Sequence, residues 1–146
     1  MLSFQVERFS DISHEFPPLF ARHFDEIAHD KERIPLAPDW DHYAEIDHSG
    51  QLFTMTARHS GKLVGYVIAI VGKGLHNVRS IIAKVDLYYL LPEYRKGLAG
   101  YRLIKAAILA MRYDKMLITT KTDNDWGPIF TRLGFRPAET VYVKVP

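Results

Sequence analysis

The chain has 146 residues, 47% of them apolar and 25% charged, a balance that suits a single domain over residues 1–146 and excludes a fibrous or disordered chain. A formal net charge of +2 is too mild to point to a nucleic-acid partner, and the absence of cysteine removes disulfides, thiolate catalysis and cysteine-held metal centres. No run approaches the roughly 18 apolar residues of a membrane span, and residues 1–8 lack a basic-then-apolar leader pattern, so the expectation is a cytoplasmic protein with no membrane partner.

Along the chain, Phe4 and Val6 alternate with Gln5 and Glu7, the period of a short half-buried strand, before the polar Ser10–Asp11 break. Phe16, Phe20, Phe24 and Ile27 recur at helical spacing with Pro17 and Pro18 in the first turn. They predict a helix over about residues 16–29 with one aromatic stripe facing the core. A proline-punctuated loop, Arg33 to Pro38, leads to Asp39, which caps a second helix carrying Trp40, Tyr43 and Ala44 and ended by Gly50. This helix pair is expected to flank a substrate cleft.

Leu52 to Ala57, a turn at His59–Lys62 and the apolar run Leu63 to Val71 predict a hairpin. Ser80 to Leu91, β-branched and aromatic, predicts a third strand beside it, antiparallel. Leu98, Tyr101, Ile104, Ile108 and Met111 repeat at helical spacing and predict an amphipathic helix lying across the sheet. A strand over Met116–Thr120, a brief helix from about 122 to Leu133 stopped by Gly134, and closing strands at Phe135 and Thr140–Val145 complete the order. The fold class is α/β in the α+β sense: a mixed, mostly antiparallel sheet flanked by helices.

The chemistry concentrates in Val85 to Gly100, which runs from strand through Pro92 and a basic glycine turn, Arg95-Lys96-Gly97-Leu98-Ala99-Gly100, into the long helix. The first amides of a helix have no intrahelical acceptor and lie at the positive end of its dipole, and small residues let a phosphate close in on them. Arg95 and Lys96 add charge. Asp86, between Val85 and Leu87 in a largely apolar strand, is the first candidate for a general base. It shares strand parity with Tyr88 and Leu90, and burial would raise its pKa; the plain alternative is a solvent-facing acid paired to Lys84 or Arg79. His76, in the loop entering the same strand, titrates near neutrality and either shares that duty or is simply solvated. The other histidines, at 14, 23, 29, 42, 48 and 59, show no metal-ligand spacing, so no metal is expected. Trp40 and Tyr43 either wall the acceptor cleft or belong to the core.

This layout resembles the GNAT superfamily of acetyltransferases, whose hallmark is a strand often ending in proline, then Arg/Gln-x-x-Gly-x-Gly/Ala and an amphipathic helix. Pro92, Arg95 and Gly100 match it, whereas Leu98 stands at the middle glycine and Gly97 one residue early. The turn therefore shifts by a residue or presents Leu98 through its backbone alone. The resemblance implies acetyl-CoA as cofactor, with its pyrophosphate on Arg95, Lys96, Gly97, Leu98, Ala99 and Gly100. Its pantetheine arm would lie on the strand backbone near Tyr88 and Leu90, where the sheet splays. Asp86 lies upstream of the proline, as acids of the family often do.

A second likeness covers Asn124 to Phe135, similar to the family's Asn-x-x-(small)-x-x-Tyr-x-x-x-Gly-Phe element. It implies Asn124 on the cofactor arm, with a helix cap as the plain alternative. Phe130 takes the place of the tyrosine thought to protonate the departing thiolate, and it has no exchangeable proton. Either the thiolate leaves unaided or a hydroxyl such as Tyr88, Tyr89 or Tyr101 serves. The implied function is transfer of acetyl from acetyl-CoA to a primary amine in a ternary complex. The acceptor is left open among a protein lysine, a small molecule and a modified base, and a homodimer is allowed. The alternative is a catalytically silent scaffold that binds CoA or a protein partner, with Leu98 and Phe130 as its signs. Ile34 to Trp40, Leu75-His76 and Leu90 to Arg95 are similar to a branch of the family met in bacteriophage and prophage genomes.

Overall fold

A computed structural model describes all residues, 1–146. Five strands, β1 (Leu2–Val6), β2 (Leu52–His59), β3 (Lys62–Lys73), β4 (Ile81–Leu90) and β5 (Lys115–Leu117), lie in the order in which they occur in the chain. The first four pair antiparallel, and β5 joins β4 in parallel. A parallel neighbour needs a crossover, and α4 (Ala99–Ala110) supplies it. Leu63 to Ala69 of β3 is buried at every residue, the mark of a central strand covered on both faces.

One face is covered by α1 (Phe9–Ile12), α2 (Phe16–Ile27) and α3 (Trp40–His48). Their contact is aromatic: Phe9 stacks on Phe16 at 4.7 Å and on Tyr43 at 4.8 Å, and Phe16 meets Tyr66 of β3 edge-on at 5.5 Å. The buried stripe of α2 runs Phe16, Leu19, Phe20, His23, so His23 and not Phe24 takes the fourth inward position. Asp39 caps α3 as expected, accepting from the His42 amide at 2.9 Å. Trp40 and Tyr43 pack into the aromatic layer against Phe9 and Phe20, which is the core reading of those residues. Across the sheet, α4 buries Leu103, Ile104 and Ala107.

Two differences from the sequence reading bear on the site. The polar Ser10–Asp11 break is instead the short helix α1, because Asp47 accepts from both the amide and the hydroxyl of Ser10, at 3.1 and 2.6 Å. The closing strands do not form. After α5 (Gly127–Arg132) the chain from Phe135 onward joins no strand or helix, and Val141, Tyr142 and Val143 are 70%, 91% and 76% exposed. Residues 136–146 make no hydrogen bond to the rest of the chain. β-Propensity reflects packing on a neighbouring strand, and here there is none.

Candidate active site

The site is built around a break in β4. Ile68 pairs with Leu87 and Ala69 with Val85, so Asp86 is a surplus residue facing no partner, a β-bulge. The bulge restarts the alternation of faces and corrects the parity expected from sequence. Asp86 acts electrostatically on Tyr43 of α3, on the side where Tyr89 stacks on His23 at 4.5 Å. Tyr88 points the other way, edge-on to Trp126 at 5.0 Å and to Phe130 at 5.5 Å.

Beyond the bulge β4 also loses its outer neighbour. The ladder with β5 ends at Lys84 opposite Leu117. The Leu91 amide donates to the Val64 carbonyl of β3 at 2.9 Å, and peptide groups alternate sides along a strand, so those of Tyr88 and Leu90 are directed at the gap where β5 is missing. Tyr88 spans that gap with its side chain, donating from its hydroxyl to the Thr119 carbonyl at 2.7 Å. Gly65 lets β3 approach closely at the end of this stretch; a Cβ there would lie 2.6 Å from the Tyr89 carbonyl oxygen.

At the end of β4 the chain makes a short turn through Pro92–Tyr94 and enters α4. Gly97 adopts φ +57°, the left-handed conformation that glycine takes at no steric cost. Leu98 follows at φ −99° with its side chain 45% exposed. The turn thus uses its left-handed glycine one residue early, and Leu98, at an ordinary negative φ, needs no glycine. No side chain caps α4. The Arg95 amide donates to Pro92 and that of Ala99 to Lys96, at 3.1 and 3.2 Å, whereas those of Lys96, Gly97, Leu98, Gly100 and Tyr101 have no protein acceptor. Gly100 brings α4 against Trp126, whose ring lies 3.4 Å from where a Cβ would be.

Arg95 is placed differently from a free phosphate ligand. Its Nε donates to the Leu90 carbonyl at 2.6 Å, its guanidinium is 2.8 Å from Glu26 of α2, and it lies over the Tyr89 ring. It ties the end of β4 to α2. Lys96 is exposed and forms no ion pair.

These elements bound a cleft of about 530 Å³ lined by Asp86, Tyr88, Arg95 and Asn124 from the sequence-derived set, with His23, Lys84, Lys121, Trp126, Val141 and Val143 among its other walls. The structure does not bring His76 into it; that residue is exposed in the β3–β4 loop. Phe130 is buried, held between Tyr88 and Phe135, and does not line the cleft. Asn124 is not the cap of α5. Thr120 Oγ1 accepts from the Trp126 amide at 2.8 Å and Asp125 from that of Gly127 at 2.7 Å, which leaves the Asn124 side chain without a protein partner.

The electrostatics of the cleft follow from its walls. Asp86 reaches solvent, but loss of water around it holds its carboxyl above the usual range, with Lys84 offsetting part of that rise. Burial raises the Tyr43 phenol to about 12, with the charge of Asp86 adding to it. His23 is driven down to about 4 by burial and then by the positive charges of Arg95 and Lys121, so it is neutral at pH 7. Its Nδ1 is 2.8 Å from the Tyr66 hydroxyl. His23, Trp126, Lys84 and Lys121 escaped the sequence reading. The signal for His23 was present, since it stands seven residues after Phe16 and three after Phe20.

The profile of the acetyltransferase (GNAT) family matches residues 9–135. No curated protein matches the sequence. Among solved structures, an aminoglycoside acetyltransferase from an uncultured soil metagenomic sample superposes with TM-score 0.71 at 17% identity, over 99% of this chain and 94% of that one. Ribosomal-protein-alanine N-acetyltransferase from Brucella melitensis gives 0.68 at 18%, over 100% and 99%. A protein from Clostridium acetobutylicum described as a predicted acetyltransferase, solved with acetyl-CoA, gives 0.65 at 12%, over 100% and 96%. At these identities what is shared is the fold.

Proposed function

The chain belongs to the acetyltransferase (GNAT) family, and from that premise we propose that it is an acetyl-CoA-dependent N-acetyltransferase acting on a primary amine by direct attack in a ternary complex. One observation carries the reading: the acceptor-free amides of Lys96, Gly97, Leu98, Gly100 and Tyr101 at the start of α4 continue from the unpaired edge of β4 at Tyr88 and Leu90. Peptide groups left without partners at a helix N-terminus and along a strand edge are ready to bond a ligand. A diphosphate and an amide-bearing arm have the chemistry to meet the two sets in turn.

Bound there, acetyl-CoA supplies an activated acetyl thioester. The residues of the chain do the rest. The α4 amides hold the diphosphate, with Lys96 adding its ammonium. Tyr88 and Leu90 offer peptide groups to the arm, and Asn124 a side-chain amide. The Leu90 carbonyl already accepts from Arg95, so Leu90 contributes chiefly its N–H, and Arg95 acts as a positioning residue. Transfer breaks the thioester C–S bond and forms an amide C–N bond, and Asp86 takes the proton that the nitrogen sheds. Its raised pKa makes it a stronger base than an ordinary carboxylate. Tyr88 is our candidate donor to the departing thiolate, at the expense of its bond to Thr119.

The silent-scaffold reading has one observation in its favour, the purely hydrocarbon Phe130 buried beside Tyr88. Turnover separates the two. Acetyl-CoA at millimolar concentration is expected to raise the melting temperature. Asp86→Asn is expected to keep that rise while lowering kcat about 10²-fold or more. A melting temperature that acetyl-CoA leaves unmoved removes both cofactor-dependent readings, and unchanged turnover removes Asp86 from the mechanism.

A further inference from the structure

Resting on that reading, we propose that the acceptor is an anionic amine, a molecule that carries a carboxylate or phosphate close to the nitrogen to be acetylated, with Lys84 and Lys121 as the groups that select it. The argument is a balance of charges in the cleft. Arg95 is matched by Glu26 at 2.8 Å and His29 by Asp123 at 2.8 Å. Three charged side chains of the lining form no ion pair: Lys84, Lys121 and Asp86. The cleft therefore holds one carboxylate and two ammonium groups that no ion pair engages.

Position assigns Lys84 to the acceptor end, and Lys121 shares its cleft. Lys84 is the last β4 residue paired to β5 and precedes the Asp86 bulge by two residues. Six residues of strand separate it from Leu90, about 20 Å at ~3.3 Å per residue, so it lies far from the phosphate-binding amides that follow Leu90. Its charge nevertheless reaches the Asp86 carboxyl. Lys121 lines the cleft from the segment after β5, and its charge reaches His23 of α2. His23, neutral, contributes no attraction for a cation. An acceptor that places its amine at Asp86 and an acidic group at either lysine meets opposite charge at both points. A polyamine meets Asp86 but sets its remaining ammonium groups against Lys84 and Lys121, and like charges facing one another oppose binding.

The test compares amines that differ by one acidic group: phenylalanine with phenethylamine, phosphoethanolamine with ethanolamine, and spermidine as the cationic control. Calorimetric binding to the CoA-bound protein and kcat/KM at saturating acetyl-CoA are both measured. The acidic member of a pair is expected to be favoured about tenfold or more, and the preference to shrink as salt rises from about 0.05 to 0.5 M. The two pairs distinguish a carboxylate from a phosphate as the recognised group. Lys84→Glu is expected to abolish the preference through the acceptor's Kd and KM while leaving the melting shift by acetyl-CoA intact. Preference for spermidine or for the uncharged partners, failure of every acidic amine to bind at about 10 mM, or a preference that survives both Lys84→Glu and Lys121→Glu overturns the proposal. Absence of any acetyl-CoA melting shift overturns the parent reading instead, so the two failures are told apart.

Discussion

The layer formed by α1, α2 and α3 and the margin formed by β4, β5, α5 and the last eleven residues are held together in opposite ways. In the first, ring packs on ring from Phe9 through Phe16, Phe20 and Tyr66, and Arg58, its side chain 11% exposed, is gripped by Glu7 and Glu15. In the second, a ladder of three residue pairs joins β4 to β5, five amides of the α4 turn lack acceptors, and residues 136–146 have no hydrogen bond at all. The contrast teaches where each property resides. Apolar burial on one side stabilises the fold, and unmet hydrogen-bonding capacity on the other is what a ligand can use.

That division is open to direct attack. The largest effect is expected from Phe16→Ala, which empties the centre of the aromatic layer and is expected to cost about 3–5 kcal/mol by urea denaturation while leaving the affinity of the folded protein for acetyl-CoA unchanged. Next comes pH. The His23 imidazole is held at about 4 in the fold against its ordinary 6.5, so the unfolded chain binds more protons between those values. Stability is then full above pH 6.5 and falls as pH drops through 4, by about 3 kcal/mol for this group. Glu7 and Glu15, held low by Arg58, add loss of the same sign below the usual carboxylate range. His23→Leu is expected to flatten the upper part of a melting-temperature profile from pH 7.5 to 4.5; an unaltered slope would take the layer's acid sensitivity away from this residue.

A smaller and more local effect is expected at the α4 turn. Gly97→Ala puts a side chain at φ +57°, costing about 1–2 kcal/mol and reducing the melting shift produced by acetyl-CoA. Leu98→Ala, at an ordinary φ and half out in solvent, is expected to stay within about 0.5 kcal/mol and to leave that shift intact. If Leu98→Ala proves the more damaging of the two, the turn is not organised around Gly97. The smallest effect on stability belongs to removal of residues 137–146, within about 0.5 kcal/mol. Because Val141 and Val143 line the cleft, the acceptor KM is expected to change where the melting temperature does not.

Periodicity made much of this fold legible. The helices α2 and α4, the Asp39 cap and the apolar run of β3 declared themselves because each is a property of one segment, although the buried faces are Phe16, Leu19, Phe20 and His23 in α2 and Leu103, Ile104 and Ala107 in α4, only partly the stripes expected. What escaped depends on two segments at once. Asp86 reads as an alternating strand residue until β3 is laid beside it, and only the pairing of Ile68 with Leu87 and Ala69 with Val85 reveals that it is surplus. Thr140 to Val145 carries the composition of a strand but pairs with none of the sheet. Arg95 was recognisable as basic, yet its engagement by Glu26, 69 residues earlier, leaves no local trace. Asn124 was ambiguous between cap and ligand, and only the folded loop shows that Thr120 and Asp125 bond the amides a cap would take.

A strand that carries one residue too many cannot be repaired by any change of side chain, only by a change of length. Excising Asp86 would let Val85 and Leu87 fall opposite consecutive residues of β3, and the seam with β5 would then be free to zip further along. The molecule that resulted would be the more regular protein, without the carboxylate to which the proposed reaction assigns the proton. A deletion at this position therefore changes the pairing of β4 in a way that no substitution of the aspartate can.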